Sequence, residues 1–368
     1  MNKTYKLGEL IERSTINNKD LKYGVDLIVG VNSQGVFTAP KGNTDGVNLK
    51  PYKIVENGAF VYNPTRLELG SIAYRTEGLC IVSHLYMVFY LTDEGKKIID
   101  PMWLYIYFRR SEFCREVTFR NFGSQRPEFN FNDMCDMEID LPPLPIQQKY
   151  VDVYNAMLAN QQSYERGLDD LKLVCDAYIE DLRRKIPCEA IGAYIMQKND
   201  RNADKSIDFV MGLSTKKEFR EAQSRVNRDE LGNYKIVNQG DFAFVPTTDT
   251  WKVLAFAFNT FEKNLVVSPI YEVFTVDKTK LVPEYLAMWL SREEFDRYAR
   301  FHSWGSAREN FSFDDMKNVQ IPIANISIQK AIVDIYNAYK KRKEINERLK
   351  SQIKEICPIL IKGSLEEK

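Results

Sequence analysis

Histidine is almost absent from this chain: His84 and His302 are the only two in 368 residues. That scarcity excludes a histidine-rich metal site, and it leaves no material for a histidine-centred catalytic triad in each half. Both histidines read as ordinary surface or boundary residues. The six cysteines, Cys80, Cys114, Cys135, Cys175, Cys188 and Cys357, form no CxxC pair. They read as reduced thiols, which makes a cytoplasmic protein the expectation. No apolar run approaches 18 residues and no signal peptide opens the sequence, so secretion and membrane insertion are not expected. Net charge is also missing, with 51 Lys+Arg against 51 Asp+Glu. A strongly basic nucleic-acid binder is therefore not announced, and any such surface must be a local patch or be completed by a partner. Catalytic motifs are absent too. There is no GxxxxGK[ST], no GxGxxG and no [DN]PP[YF]; Asn63-Pro64-Thr65 and Asp140-Leu-Pro-Pro only imitate the last. The acidic run Asp133-Met-Cys-Asp-Met-Glu has no following lysine suited to a nuclease site and reads as a solvated helix face. The expectation is a chain with no catalytic residues and no metal of its own.

What the chain does have is repetition. FGSQRPEFNFNDM, Phe122–Met134, returns as WGSARENFSFDDM, Trp304–Met316. The same shift of 182 aligns Tyr52-Lys-Ile-Val with Tyr234-Lys-Ile-Val and Leu27-Ile-Val-Gly with Phe209-Val-Met-Gly. It pairs Pro101 with Pro283, Val151-Asp-Val-Tyr-Asn-Ala with Val333-Asp-Ile-Tyr-Asn-Ala, and Cys175 with Cys357. Between Pro64 and Pro101 the frame slips to 185, as Ser83-His-Leu-Tyr against Ser268-Pro-Ile-Tyr shows. Two copies are too few for a solenoid; they imply two equivalent sites related by an approximate two-fold.

Each copy has one plan. The first part is mixed in pattern, and Tyr52–Val55, a turn at Asn57-Gly58, and Ala59–Tyr62 predict paired strands, repeated at Tyr234–Val237 and Phe242–Val245. Pro101 and Pro283 mark helix starts that run toward the Gly-Ser loop. Each copy then ends in a long helix, from about Ile146 to Lys185 and from about Ile328 to Ile361, with Pro358 expected to disturb the last turn. Apolar residues recur at three and four. The first seam reads Val153, Met157, Asn160, Tyr164, Gly167, Leu171, Val174, Tyr178, and the second Ile335, Tyr339, Arg342, Asn346, Leu349, Ile353, Ile356, Leu360. The two helices are expected to pair antiparallel as a rod of about 57 Å, with a globular unit at each end. That length is comparable to about one and a half turns of B-DNA.

The repeated loop carries a small residue, a hydroxyl and an arginine: Gly123, Ser124 and Arg126, then Gly305, Ser306 and Arg308. This combination suits a phosphate or a base edge. The glycines could equally be left-handed helix caps, and each arginine could pair with Glu128 or Glu309. The phenylalanines Phe129, Phe131, Phe311 and Phe313 are expected in the core. Outside the shared frame the copies differ. Asn32-Ser33-Gln34-Gly-Val stands against Ser214-Thr-Lys216-Lys217-Glu, and Thr65-Arg66 against Thr247-Thr248. One frame with different loops is what two readers of two short sequences need, although drift in unimportant loops produces the same pattern.

At the first junction stands Leu141-Pro-Pro-Leu-Pro-Ile-Gln-Gln-Lys-Tyr-Val. With two tandem units each followed by a long helix, this resembles the specificity subunit of type I restriction-modification enzymes over essentially the whole chain. That family's junction reads P-L-P-P-L-x-E-Q-x-x-I-V. Here Pro142, Pro143, Leu144, Gln147 and Val151 match while Ile146 replaces Glu; in the second copy Pro322, Gln329 and Val333 remain and Ile328 replaces Glu. The Gly-Ser-x-Arg segments are similar to the family as well. The resemblance implies an α+β architecture: two mixed α/β target recognition domains, 1–145 and 187–327, alternating with two antiparallel coiled-coil spacer helices, 146–186 and 328–368. Each domain would read one half of a bipartite double-stranded DNA target. The helices would set the gap and dock two methyltransferase subunits that carry S-adenosylmethionine, with motor-nuclease subunits as an optional addition. No cofactor is expected on this chain. Two alternatives remain at this level: a silent copy kept as a recombination donor, and a two-headed non-DNA interaction protein on a coiled-coil strut.

Overall fold

The computed structural model describes residues 2–40, 42–121, 128–222, 228–249, 253–303 and 308–367. The chain divides into two compact units. Unit 1 takes Met1–Glu165 and returns for Glu344–Lys368; unit 2 is the continuous stretch Arg166–Lys343.

Each unit is built on a four-stranded antiparallel sheet. In unit 1 the order across the sheet is Ile11–Arg13, Met87–Leu91, Phe60–Tyr62, Ile72–Tyr74. In unit 2 it is Ile195–Lys198, Glu272–Val276, Phe242–Phe244, Phe256–Phe258. Alternation along a strand decides which face each side chain covers. Phe60 and Tyr62 enter an aromatic core with Phe89, Trp103 and Phe108, while Val61 enters a smaller aliphatic layer with Val55, Ala73, Val82 and Val88. Phe242 and Phe244, with Ala243 between them, repeat the division. Phe60 stacks on Phe89 at 5.1 Å between centroids, and Phe242 on Phe274 at 4.9 Å.

This two-sided burial overrides the local hairpin expected from sequence. Lys53–Val55 pairs with Cys80–Val82, and Lys235–Val237 with Leu265–Val267. Phe60–Tyr62 instead pairs with Ile72–Tyr74 and Met87–Leu91. The turn before it, with Gly58 at φ +89, sends the two strands to different sheets. Burying each large ring is worth about 1.5–3 kcal/mol, more than the roughly 1 kcal/mol span of strand propensity.

A pair of short helices recurs after each sheet, Pro101–Phe108 with Ser111–Arg120 and Pro283–Leu290 with Glu293–Phe301, and in unit 1 the short helix Asp93–Ile98 precedes the pair. Asp100 caps Pro101–Phe108 by accepting from the Met102 and Trp103 amides at 2.8 and 3.2 Å. The long helices span Leu144–Lys185 and Ile326–Glu366. Gln147 and Gln329, both 0% exposed, fasten their first turns. Gln147 donates to Ile98 O and Pro142 O and accepts from the Asp100 amide, at 2.7–2.8 Å. Gln329 does the same with Lys280 O, Ala324 O and the Val282 amide.

From Gln147 the buried stripe steps by four and three through Val151, Tyr154 and Gln161, then through Cys175, Ile179 and Leu182. This corrects the first seam by one residue: Val153, Val174 and Tyr178 are 41–49% exposed. The second seam keeps Asn346, Ile353 and Leu360 buried. Pairing is antiparallel within each unit. In unit 1 Gly363 lies against Tyr150 and Gln161 Nε2 donates to Asn346 Oδ1 at 2.9 Å; in unit 2 Gly167 lies against Arg342. The second helix continues through Pro358 to Glu366. A proline inside a helix costs about 3 kcal/mol. Here Cys357, Leu360 and Ile361 are buried in the unit 1 core, and Trp103 Nε1 donates to Ser364 Oγ at 3.0 Å. These contacts hold the turns past the proline.

Candidate nucleic-acid interface

Three segments of unit 1 converge on one groove. The first is a hairpin, Gly30–Val31 paired with Phe37–Thr38. Its tip is an Asx turn in which Asn32 Oδ1 accepts from the Gln34 and Val36 amides at 2.9 and 3.2 Å. Ser33 and Gln34 are exposed there. The second is the turn after Phe60–Tyr62, where Asn63 Oδ1 accepts from the Thr65 amide and hydroxyl at 3.1 and 2.9 Å. Thr65 and Arg66 are exposed, and the Arg66 guanidinium has no partner among the described residues. The third is the Ser83–Tyr86 loop. Together they enclose about 620 Å³, lined among others by Asn32, Ser33, Thr65, Arg66, Ser83 and Tyr86.

Unit 2 places a groove of about 420 Å³ at the equivalent position, lined among others by Ser214, Thr215, Lys216, Arg220, Thr247 and Tyr271. Its hairpin pairs Met211–Leu213 with Phe219–Glu221. Thr247 and Thr248 lie on the strand Thr247–Asp249, paired with Arg308–Asn310 so that Asp249 opposes Arg308. No carboxylate lines either groove among the described residues. Cations, hydroxyls and amides without a competing anion suit phosphate oxygens and base edges.

Gly123, Ser124, Arg126, Gly305 and Ser306 lie outside the described residues. Their flanks do not. The Phe129 amide donates to Pro64 O at 3.0 Å and the Phe311 amide to Pro246 O at 2.7 Å. The exit of each repeated loop is therefore tied beside the groove turn of its own unit. Phe129 and Phe311 are fully buried, while Phe131 and Phe313 pack at the core margin.

The structure thus brings Ser33, Thr65 and Arg66 together in unit 1, and Lys216, Thr247 and the Arg308 strand in unit 2. Lys217 is a correction. Its side chain is only 10% exposed; it donates to Leu290 O at 3.0 Å and pairs with Asp296 at 2.7 Å. Burial pushes its ammonium below the ordinary lysine value, with Asp296 opposing the shift. It is an internal anchor and has no face toward the groove. Sequence reading also missed Tyr86 and Tyr271, whose alignment at the 185 shift was visible, and Arg109. Nothing local marks Arg109: its partners are backbone oxygens 39 and 76 residues away.

This is the arrangement of a duplicated DNA-specificity protein: two equivalent domains, one groove in each, and paired helices. The chain belongs to the type I restriction modification DNA specificity domain family, whose model matches residues 2–167 and 250–355. Among solved structures it is similar to the type I restriction-modification S subunit from M. genitalium, at 10% identity over 100% of this chain and 96% of that one, with a TM-score of 0.62. It is also similar to a chain from a study of complex assembly and conformational transition in the type I R-M system, at 15% identity over 98% and 97%, with a TM-score of 0.50. At these identities the likeness speaks for the fold. No curated protein sequence matches the chain.

Proposed function

We propose that the two grooves read the two halves of a bipartite DNA target for a type I restriction-modification complex. The observation that supports this best is the equivalence of the grooves: one frame, different side chains, and no carboxylate among the described residues of either lining. Ser33, Gln34, Thr65 and Arg66 would address the first half, and Lys216, Thr247, Thr248 and Arg308 the second. Gly123, Ser124 and Arg126, with Gly305 and Ser306, would add phosphate contacts from the adjoining loops. The long helices serve as the spacer that sets the unspecified gap and as the docking surface for two methyltransferase subunits. Those subunits bind S-adenosylmethionine and perform adenine methylation; this chain supplies no catalytic group. Motor-nuclease subunits can join the same assembly, and the setting is cytoplasmic. Among the described residues no helix is long and apolar enough to cross a membrane.

The test is sequencing of methylated adenine in the host with and without this gene. Loss of one motif, two short halves around a fixed gap, is the expected result. An unchanged methylome would sink the reading and return the silent copy and the interaction strut.

A further inference from the structure

The hairpin beside each groove is fastened from behind, and the two units do it with opposite donors. In unit 1 the fastening comes from the helix Pro101–Phe108 and the residue that ends it. Arg109 is 7% exposed. Its Nη1 donates to Gly70 O and, at 3.4 Å, to Ser33 O, and its Nη2 reaches Ser33 O at 3.4 Å. One turn earlier, Tyr105 Oη donates to Gly35 O at 3.1 Å. Every acceptor is a backbone carbonyl. Gly35 must be glycine for this: its φ is +74, and a Cβ there would lie 2.6 Å from Arg109 Nη1 and 2.7 Å from Ile72 O.

In unit 2 the helix Pro283–Leu290 has lost both donors. Ala287 stands at the Tyr105 position and Ser291 at the Arg109 position, where its hydroxyl donates back to Ala287 O at 2.7 Å. The hairpin supplies the cation instead. Lys217 stands at the Gly35 position, keeps a positive φ of +66, and reaches Leu290 O and Asp296. An ammonium on the last carbonyl of a helix also complements its dipole. A buried cation is retained at one join in both units although its sequence position has moved from helix to hairpin.

We propose that Arg109 and Lys217 are positioning residues for half-site recognition, each holding the hairpin of its own unit at the height and tilt from which the tip meets DNA. This rests on the reading that the hairpins face DNA. The side chain at a tip can read a base edge only if its backbone is held to within a fraction of an ångström. Loosening the join therefore relaxes discrimination before it abolishes binding.

The test uses the full chain assembled with its methyltransferase subunits, S-adenosylmethionine and duplexes carrying every single-base change in both halves. Arg109→Ala is expected to cut discrimination in the first half about tenfold, with KM for DNA raised and kcat at saturating DNA kept; the second half stays as in the parent. Lys217→Met is expected to do the converse. Arg109→Lys and Lys217→Arg should restore part of the discrimination, because each keeps the buried cation. Hydrogen exchange should rise in 30–38 for Arg109→Ala and in 211–221 for Lys217→Met, and not elsewhere. Gln34→Ala and Lys216→Ala are the controls for the underlying reading. If these tip variants leave both halves untouched, the hairpins are not readers. If they relax their halves while Arg109→Ala and Lys217→Met do not, the reading stands and the positioning role is wrong. Equal relaxation of both halves by either anchor variant overturns it as well. Should Arg109→Ala fail to assemble, Arg109→Lys decides: a narrowed but half-selective loss supports the role, and a uniform loss in both halves defeats it.

Discussion

Gln147 and Gln329 show how much one side chain can carry. Each is fully buried and bonds three backbone groups from two segments at the start of a long helix. Gln147→Ala leaves an amide and two carbonyls without partners, and about 2–4 kcal/mol of unit 1 stability should be lost in urea unfolding. The neighbouring Gln148→Ala, exposed on the same turn, should stay within about 0.5 kcal/mol. The sequence marked Gln147 as a motif letter; of the groups it joins only Pro142 O belongs to the motif, while Ile98 O and the Asp100 amide lie over forty residues upstream, so its task was not legible there. Lys217 and Arg109 failed for the same reason, since the partners of each lie far along the chain. Glu294 offers a pH test. The Arg292 guanidinium holds its carboxyl at about 2, below the ordinary 4.5. A depressed carboxylate stabilises the fold above its unfolded value and loses that contribution as pH falls through its folded value. Glu294→Gln should therefore flatten the acid limb of unit 2 unfolding between about 4.5 and 2, measured by thermal melts across pH.

At the scale of elements, the long helices were legible because period and length agree over some forty residues with almost no interruption. Their seam was not, because Val153 and Tyr178 are apolar yet face outward, while the buried stripe includes the polar Gln147 and Gln161. Tyr154→Ala should cost unit 1 about 3 kcal/mol, and Tyr178→Ala less than about 1 kcal/mol in unit 2. Equal costs would put the seam back where the apolar letters alone place it. The strands before Gly58 and Gly240 were recognised as strands, but their partners were assigned by adjacency. Their true partners follow from which face must enter the aromatic core, and that is decided by Phe60, Tyr62, Phe242 and Phe244 together with helices far downstream.

At the scale of the whole molecule, the duplication was legible from a constant offset, and with it the family. The spacer role gives a length test. One heptad inserted into each helix beside the Gln161–Asn346 pair adds about 10 Å of helix. Methylation sequencing should then show a longer gap between two unchanged half-sequences; an altered half-sequence, or an unaltered gap, would count against the ruler. The Gln161–Asn346 pair is the natural point of insertion, because a buried polar pair in a helical seam penalises slipped registers.

The division of the chain also has a consequence for its synthesis. Unit 2 is one continuous stretch, while unit 1 is split and its core includes Ile353, Cys357, Leu360 and Ile361 from the last helix. A chain leaving the ribosome can complete unit 2 once residue 343 has emerged. Unit 1, although it begins the message, must wait with part of its aromatic core uncovered until the final turns arrive. The half that is made first is the half that is finished last.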